Sequence, residues 1–527
     1  MEPTHFFELV IAMFIAVIAL HYAAHRLGLP PSLALLAGGA SLAFAPGLPT
    51  IEVDPNLVLI VFLPPLLMDG AWSIAVNRLR RHLIGVGALA VGAVIFTCAV
   101  VAVVAKLLFP SLPWAACAAL GAIVAPPDAV SARAVLQRVK LPRRLQILLE
   151  GESLFNDATG LVLFRFAVAA GVTGAFSATE AAGSFAMLAA GGLAVGAAVG
   201  AAWVFVVRRL NDEYLIIAST ALVSWTSYLL GEYLHVSGVI ATVTAAMIAS
   251  WNQYTALNAA TRMRGGSFWA VLVFLMEAAV FILIGLSLRG VVERAGGFGL
   301  VLAEMGLPIL VILVAITVAR FVWVFFSDAL IGLANRLGLE RHRPLGPGGA
   351  TVLSWAGMRG VVTLALALSV PENFPGRDFI LITSFAVILG TVLIQGATLG
   401  RVIAWAGLEE AEADKPKLTL SQAEHVMAQA QLQTMEKIAY DADGKLIHPM
   451  LLDQFRRRAA AIGNLANRTE ELRPQLHAHF DAVLQLVAVG RAELLRLHRA
   501  GEIDEDTLHE LERDLDLEEL TAISNKA

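Results

Sequence analysis

Long apolar stretches separated by short polar connections fill the chain from its start to about residue 407. Many of them reach about 20 residues, the length that a helix needs to cross a bilayer while pairing its own backbone groups. The ten-residue alternation of a membrane β-barrel does not occur in the sequence. The pattern predicts an all-α polytopic membrane protein with about 13 transmembrane helices. The first of them, near 6–25, is expected to be retained rather than cleaved as a signal peptide.

The pattern changes after residue 407. The segment 408–527 mixes Leu, Ala and Val at helical spacing with many charged residues, which is typical of short amphipathic helices. Over the whole chain 57% of residues are hydrophobic and 15% are charged, whereas soluble domains carry about 25% charged residues. The sequence therefore predicts a membrane transport domain, 1–407, followed by a cytoplasmic helical tail, 408–527. We expect neither a cofactor nor a nucleic-acid partner.

Basic residues alternate between the connections of the membrane domain. One set of connections carries 16 Lys and Arg residues and the other set carries 4. Because cytoplasmic connections are enriched in Lys and Arg, the richer set is assigned to the cytoplasm. This places the N-terminus outside and the C-terminus inside, which agrees with an odd number of spans.

Two of the predicted spans carry residues that interrupt helices. Pro126 and Pro127 lie within the span near 112–137, and an arginine flanked by Gly357 and Gly360 lies within the span near 349–370. Prolines and glycines are common in membrane helices, so either break alone carries little weight. However, the two breaks hold matching positions in spans that run in opposite directions, which predicts two inverted-topology repeats. Secondary transporters of this build bind their substrate where such breaks meet.

A polar stripe in the sixth span supplies candidate ligands. Asp157 lies about 13 residues beyond the cytoplasmic end of this span, or roughly 20 Å, and therefore near the bilayer midplane. Ser153 lies one turn earlier on the same face, and Asp128 follows the proline break at a similar depth. Two carboxylates, a hydroxyl and the carbonyls freed at the break are ligands for a small cation such as Na⁺. Without the cation, one carboxylate is expected to bind a proton, so the sequence predicts a cation/proton exchanger.

Buried arginines need buried anions. Arg359 keeps its charge in the membrane, and Glu152 is the best candidate for its partner. We interpret this pair as a structural link between the sixth and twelfth spans, with a role as a ligand of the transported ion as the alternative. For Glu277 and Arg320, which also lie in the membrane, a fixed pair, a gate and separate water-facing groups are equally consistent with the sequence.

Four motifs carry a resemblance to a known family. In chain order they resemble the marks of the bacterial sodium/proton exchangers of the monovalent cation:proton antiporter-1 family: Leu63-Pro64-Pro65-Leu66-Leu67, the segment around Asp128, Gly151-Glu152-Ser153-Leu154-Phe155-Asn156-Asp157, and Gly357-Met358-Arg359-Gly360-Val361-Val362. The resemblance implies a bacterial inner-membrane antiporter that exchanges Na⁺, with Li⁺ or K⁺ as possible substitutes, for H⁺. It also implies a homodimer with an elevator mechanism. The dimerisation part would be 6–76 and 213–289, and the moving core 82–172 and 301–407.

The resemblance also implies roles for individual residues. Asp157 would be the essential carrier, with Asp128 and Ser153 as further cation ligands. Asn156, directly before Asp157, is similar to the electroneutral type, which exchanges one cation for one proton. Glu152 and Arg359 would form the structural ion pair.

The fifth span departs from the family's usual order of residues. Pro126 and Pro127 precede Asp128 here, whereas the proline commonly follows the aspartate. We therefore assign Pro126 a supporting role and leave open which carbonyl, that of Pro127 being the candidate, reaches the ion.

Two other classes of function compete with the exchanger. A potassium-selective antiporter or an ion channel would use the same membrane architecture. An intramembrane aspartyl protease would use Asp128 and Asp157, but its Gly-x-Gly-Asp signature is missing from the sequence. We therefore expect a transporter and not an enzyme.

Overall fold

The regular structure of the chain is almost entirely helical. The computed structural model describes the residues 3–27, 30–44, 57–74, 76–128, 141–174, 178–294, 296–338, 344–408, 418–441, 443–467 and 469–526. Within these ranges the β-structure consists of one isolated bridge between Tyr440 and Leu446. Contacts divide the chain into two units, Met1–Ala411 and Glu412–Ala527.

Fifteen helices are described in the first unit. They are α1 (Pro3–Leu27), α2 (Pro31–Ala43), α3 (Val58–Ser73), α4 (Val76–Arg81), α5 (Leu83–Leu108), α6 (Trp114–Val124), α7 (Arg143–Thr173), α8 (Ala178–Val207), α9 (Glu213–Tyr233), α10 (Gly238–Ala256), α11 (Ala259–Arg294), α12 (Phe298–Arg336), α13 (Gly346–Trp355), α14 (Val361–Leu368) and α15 (Arg377–Ala406). Among the described residues, seven helices are long and apolar enough to cross a membrane, namely α5, α7, α8, α9, α11, α12 and α15, and four shorter apolar helices accompany them. The all-α membrane class is confirmed, while the count of 13 spans and the repeats remain predictions.

Local sequence explains where the central helices begin and end. Helix α7 follows Pro142 and ends at Thr173, and the next residue, Gly174, has a φ of 72°, the left-handed conformation that closes many helices. At the start of α13, both carboxylate oxygens of Asp328 accept hydrogen bonds, from the backbone N–H groups of Leu345 and Gly346. These contacts satisfy donors that a helix N-terminus leaves without partners.

Two breaks in the helices lie where the proline and glycine positions predict them. Helix α6 ends at Val124, and the residues up to Asp128 are not helical. Helix α13 ends at Trp355, and α14 resumes at Val361 after a non-helical turn. The remainder of the predicted fifth span, 129–137, lies outside the described residues. Helix α6 packs against α5, α7, α14 and α15, so both breaks lie within the interior of the unit.

The second unit contains two helical hairpins. Helices α16 (Leu420–Ile438) and α17 (Pro449–Asn467) pack together around Met435, Ala439 and Leu452. Helices α18 (Thr469–Arg499) and α19 (Glu505–Lys526) form the other hairpin. Ion pairs join its two helices, among them Arg491 with Asp516 at 2.7 Å.

Candidate functional site

The two helix breaks contact each other through their backbones. The N–H group of Asp128 donates a hydrogen bond of 2.7 Å to the carbonyl oxygen of Met358. A broken helix leaves donors and acceptors without partners inside the membrane, where water cannot replace them. The contact between the breaks pairs one such donor and one such acceptor, and it holds the two interrupted segments together.

Gly360 permits this close approach. A Cβ atom on Gly360 would lie only 1.7 Å from Oδ2 of Asp128 and 2.7 Å from its Cγ. The Asp128 carboxylate therefore lies directly against the backbone at the start of α14. The partial positive charge of a helix N-terminus compensates a carboxylate in that position. Any larger residue at position 360 would displace the carboxylate.

Helix α7 brings its polar stripe to the break after α6. The side-chain Nδ2 of Asn156 donates to the carbonyl oxygen of Pro127 at 2.5 Å. Pro126 packs against α7 at Gly160, where a Cβ atom would lie 2.3 Å from the proline Cγ. Asn156 is fully buried, and Asp157 is 7% exposed. Asn156 and Pro126 therefore both form contacts between α7 and the break.

A small cavity joins the residues proposed as ligands. Asp157, Asp128, Ser153 and Glu150 line a space of about 40 Å³, which α3 closes on one side. A volume of about 10–15 Å³ already holds one water molecule, so the cavity has room for a small ion together with water. Among the described residues no group of three or more His, Cys, Asp and Glu side chains has the arrangement of a metal centre. The cavity is thus lined by three carboxylates, those of Asp157, Asp128 and Glu150, and by the Ser153 hydroxyl.

The structure contradicts the predicted pairing of Glu152. Both of its carboxylate oxygens accept hydrogen bonds from Arg320, at 2.5 Å from Nη1 and 2.9 Å from Nη2. The two side chains are almost fully buried. The geometry is the two-point contact that suits a guanidinium and a carboxylate. The buried ion pair therefore links α7 to α12 through Arg320, and the pairing with Arg359 predicted from the sequence is wrong.

Gly357 explains why Arg320 reaches this position. A Cβ atom at Gly357 would lie 2.5 Å from Cδ of Arg320 and 2.6 Å from its Nε. The arginine side chain thus passes directly over the glycine backbone. Its Nε and Nη2 also donate to the carbonyl oxygen of Leu353, at 3.2 Å and 3.0 Å.

Arg359 makes contacts of another kind. Its Nε donates to the carbonyl oxygen of Val124 at 2.5 Å, and its Nη1 donates to the carbonyl oxygen of Gly357. Its backbone N–H donates to Oγ1 of Thr391 at 3.0 Å. Arg359 is 1% exposed. It therefore fixes the end of α6 and the turn after α13.

Arg320 and Arg359 share one feature. Each donates to a carbonyl near the C-terminal end of an interrupted helix, Leu353 in α13 and Val124 in α6. The last carbonyls of a helix lack partners and carry partial negative charge, so a cation stabilises them. The sequence marks both arginines as unusual because charges within membrane helices are rare. It gives no signal that assigns either arginine to a helix end.

Most of the chain matches a known protein family. A model described as "Sodium/hydrogen exchanger, transmembrane" matches residues 10–405. The chain belongs to the sodium/hydrogen exchanger family. This confirms the resemblance read from the four motifs. Family membership supports cation/proton antiport across a membrane, and it supports a transporter rather than an enzyme.

Two relatives and one solved structure resemble most of the chain. An uncharacterised Na⁺/H⁺ exchanger of Mycobacterium bovis is 30% identical over 97% of this chain and 95% of its own length. The Na⁺/H⁺ antiporter ApNhaP of Aphanothece halophytica is 34% identical over 72% of this chain and 70% of its own length. The structure of the sodium proton antiporter MjNhaP1 from Methanocaldococcus jannaschii at pH 8 matches with a TM-score of 0.60 and 21% identity. It covers 76% of this chain and all of that chain. At that identity the structural likeness shows the fold alone.

Proposed function

We propose that this protein exchanges Na⁺ for H⁺ across the bacterial cytoplasmic membrane, with both ions competing for Asp157. The observation that carries the proposal is the shared cavity of Asp157, Asp128 and Ser153, at the point where two helix breaks meet. A buried carboxylate without a counter-ion is unfavourable in a medium of low polarity. It therefore holds either a cation or a proton, and a single site that alternates between them couples the two fluxes.

The exchange of one cation for one proton follows from the environment of Asn156. Its amide is held by the carbonyl of Pro127 and, unlike a carboxylate, gains or loses no proton in the physiological range. The charge of Asp128 is compensated at the start of α14. Glu150 lies nearer the start of α7, where its Oε1 accepts a hydrogen bond from Gln146 at 2.8 Å. We therefore assign the change of bound ion to Asp157 alone, which favours an electroneutral exchange.

Alternating access requires that the cavity lie between a moving part and a fixed part. Asp128, Ser153 and Asp157 belong to the proposed core, 82–172 and 301–407. The wall formed by α3 belongs to the proposed dimerisation part, 6–76 and 213–289. Movement of one part past the other would carry the ion, as in an elevator. Glu150 lines the cavity nearer the start of α7, the end that the distribution of basic residues assigns to the cytoplasm.

An exposed ion pair joins these two parts at the other end of α7. Nη2 of Arg165 lies 2.9 Å from Oε2 of Glu232 on α9, with side chains 46% and 31% exposed. Arg165 lies eight residues beyond Asp157, or about 12 Å along the helix. If the core moves, this contact must break. The pair would therefore stabilise the conformation in which the cavity opens toward Glu150.

Breaking this ion pair is expected to shift the conformational equilibrium modestly. Exposed ion pairs contribute about 0.2–1 kcal/mol, which corresponds to at most about a fivefold change in population. We expect Arg165→Gln to reduce the labelling of a Glu150→Cys probe by an impermeant maleimide. The charge swap Arg165→Glu with Glu232→Arg should restore it. The two native cysteines, Cys98 and Cys117, are buried. Equal labelling of all three proteins would contradict a role of the pair in holding this conformation.

The test of the proposed function is a flux measurement in proteoliposomes. Vesicles that are acidic inside should lose their pH gradient when Na⁺ is added outside, without the formation of a membrane potential. Li⁺ and K⁺ tested in parallel define selectivity, and a response to K⁺ alone would identify a potassium-selective antiporter. Cation flux without counterflow of protons would identify a channel and overturn the proposal.

We further propose a homodimer, as the family resemblance implies, whose N-termini lie outside and whose helical tails, 408–527, lie in the cytoplasm. The support for this orientation is the 16-to-4 distribution of basic residues over the connections. After Leu210, which precedes α9, a fused reporter enzyme that works only in the cytoplasm should be active, and one that works only in the periplasm should be inactive. Periplasmic activity of that fusion would reverse the proposed orientation.

A further inference from the structure

A second cavity lies on the other side of α3 from the cation cavity. Its volume is about 290 Å³, and α3, α9, α10 and α11 line it. Helix α3 contributes Asp69 and Trp72 to this cavity, whereas its Leu67 and Gly70 face the cavity of Asp157. The two cavities have no lining residue in common. Ligand pockets have volumes of about 300–1,000 Å³, so this space is sufficient for a small organic molecule.

Most polar groups in the walls already have partners within the protein. Trp269 donates its indole N–H to Oγ1 of Thr220 at 2.8 Å, and that hydroxyl donates to the carbonyl of Ile217. Trp72 donates its indole N–H to Oε1 of Gln253 at 3.1 Å. Both indole nitrogens are thus occupied. The tryptophans offer a ligand their aromatic surface rather than a hydrogen bond.

Thr261 is the exception in this wall. It is 2% exposed, and its Oγ1 has no hydrogen-bond partner among the described residues. A buried hydroxyl without a partner is unfavourable, so a ligand that reaches it gains affinity. Thr261 is the third residue of α11, whose first turn carries partial positive charge. The adjacent Arg262 also lines the cavity and adds a full positive charge. This end of the cavity suits a negatively charged oxygen.

The other charged group in the lining is acidic. Asp69 lies three residues before Trp72, so their side chains project from the same side of α3. A carboxylate beside aromatic surface is the combination that binds ammonium groups, through charge attraction and cation–π contact. The cavity therefore carries recognition elements for both signs of charge.

We propose that this cavity is a binding site for a small zwitterion, with an ammonium group at Asp69 and the two tryptophans and an oxyanion at Thr261 and Arg262. The same chemistry is found in two sources, a free ammonium carboxylate of the osmolyte type and the headgroup of phosphatidylethanolamine. The site is additional to the ion exchange proposed for Asp157 and does not depend on it.

Glycine betaine is the probe for the free ligand. Titration calorimetry on the full-length protein in phosphatidylglycerol nanodiscs should detect saturable binding. Thr261→Val keeps the shape of the side chain and removes the hydroxyl, so it should weaken binding about tenfold, the equivalent of one hydrogen bond. Choline and propionate each carry one half of the charge pair and should bind more weakly than betaine. Asp157→Asn should bind betaine as the wild type does, which separates this test from the test of ion exchange.

A pair of glycine variants controls for nonspecific effects. Gly266 lines the cavity, and no atom lies within 4 Å of the position that a Cβ would take. Gly266→Leu should therefore fold normally and obstruct the site. Gly290 lies on the same helix in equally open surroundings and outside the cavity lining. Gly290→Leu should bind betaine like the wild type.

The lipid source is tested with the same variants. Native mass spectrometry of protein from mixed phosphatidylethanolamine and phosphatidylglycerol membranes should show retained phosphatidylethanolamine, lost in Thr261→Val and Gly266→Leu. Betaine binding that responds to these variants identifies a soluble ligand, and retained phosphatidylethanolamine alone identifies a headgroup; both support the site. If neither zwitterion binds, or if binding is unchanged in Thr261→Val and Gly266→Leu, the proposal is wrong.

Discussion

Asp157→Asn is expected to reduce Na⁺-dependent proton movement to the level of protein-free vesicles. The asparagine has almost the same shape, so the contacts of α7 with the helix break should persist. However, an amide neither binds a proton nor carries the negative charge that compensates Na⁺. Because the proposed coupling depends on one group that holds either ion, both fluxes should disappear together. Proteoliposomes with a pH-sensitive dye inside provide the measurement.

The matched control is Glu304→Gln, which makes the same chemical change at an exposed position of α12. This variant should exchange ions like the wild type. The amount of folded protein should be equal for both variants, as judged by size-exclusion chromatography. Exchange that survives in Asp157→Asn would move the ion site to another residue and remove the basis of the proposed mechanism.

The polar stripe of α7 was predictable because its spacing is local. Residues three or four apart on a helix share a face, so Ser153 and Asp157 had to lie together once the helix was recognised. The positions of the breaks were equally local, since prolines and glycines mark them. The meeting of the two breaks followed from their matched positions in the chain. The hydrogen bond from Asp128 to Met358 is the contact that corresponds to this prediction.

The partner of Glu152 was not predictable in the same way. Arg320 is separated from Glu152 by 168 positions in the chain, and Arg359 is further still. Sequence periodicity does not show which of two distant arginines at similar depth in the membrane pairs with Glu152. The choice depends on the space above Gly357, which the stem of Arg320 occupies. Such a contact between two helices and the turn after a third appears only when the helices have been packed.

The two arginines resolve a problem that every broken membrane helix creates. An interruption exposes carbonyls at the end of a half-helix where no water is available. In this protein Arg359 donates to Val124 and Arg320 donates to Leu353, one at each break. The arginine charge of one break thus supports the helix end of the other, since Arg359 follows α13 and donates to the end of α6. The contact of Arg359 with Val124 joins the two breaks, while Arg320 supports the end of α13 from α12. The carboxylates of Asp128 and Asp157 are left facing the cavity.

Removing one member of the Glu152–Arg320 pair is expected to destabilise the protein more than removing both. A buried charge that loses its partner costs about 3–5 kcal/mol, whereas replacing a whole buried pair is often nearly neutral. Glu152→Gln should be the more harmful single change, because the arginine left behind cannot lose its charge. After Arg320→Gln, the remaining carboxyl group can take up a proton. The melting temperatures of the purified proteins, measured in one detergent, give the order of stability of these variants.

The double variant Glu152→Gln with Arg320→Gln should recover most of the melting temperature lost by either single variant. The control is Glu152→Gln with Arg359→Gln. It leaves Arg320 without its carboxylate and also removes the donor to Val124. This second double variant should therefore have a melting temperature no higher than that of Glu152→Gln alone. If Arg359→Gln rescued Glu152→Gln and Arg320→Gln did not, Glu152 and Arg359 would be the energetically coupled pair, and the sequence-based assignment would stand.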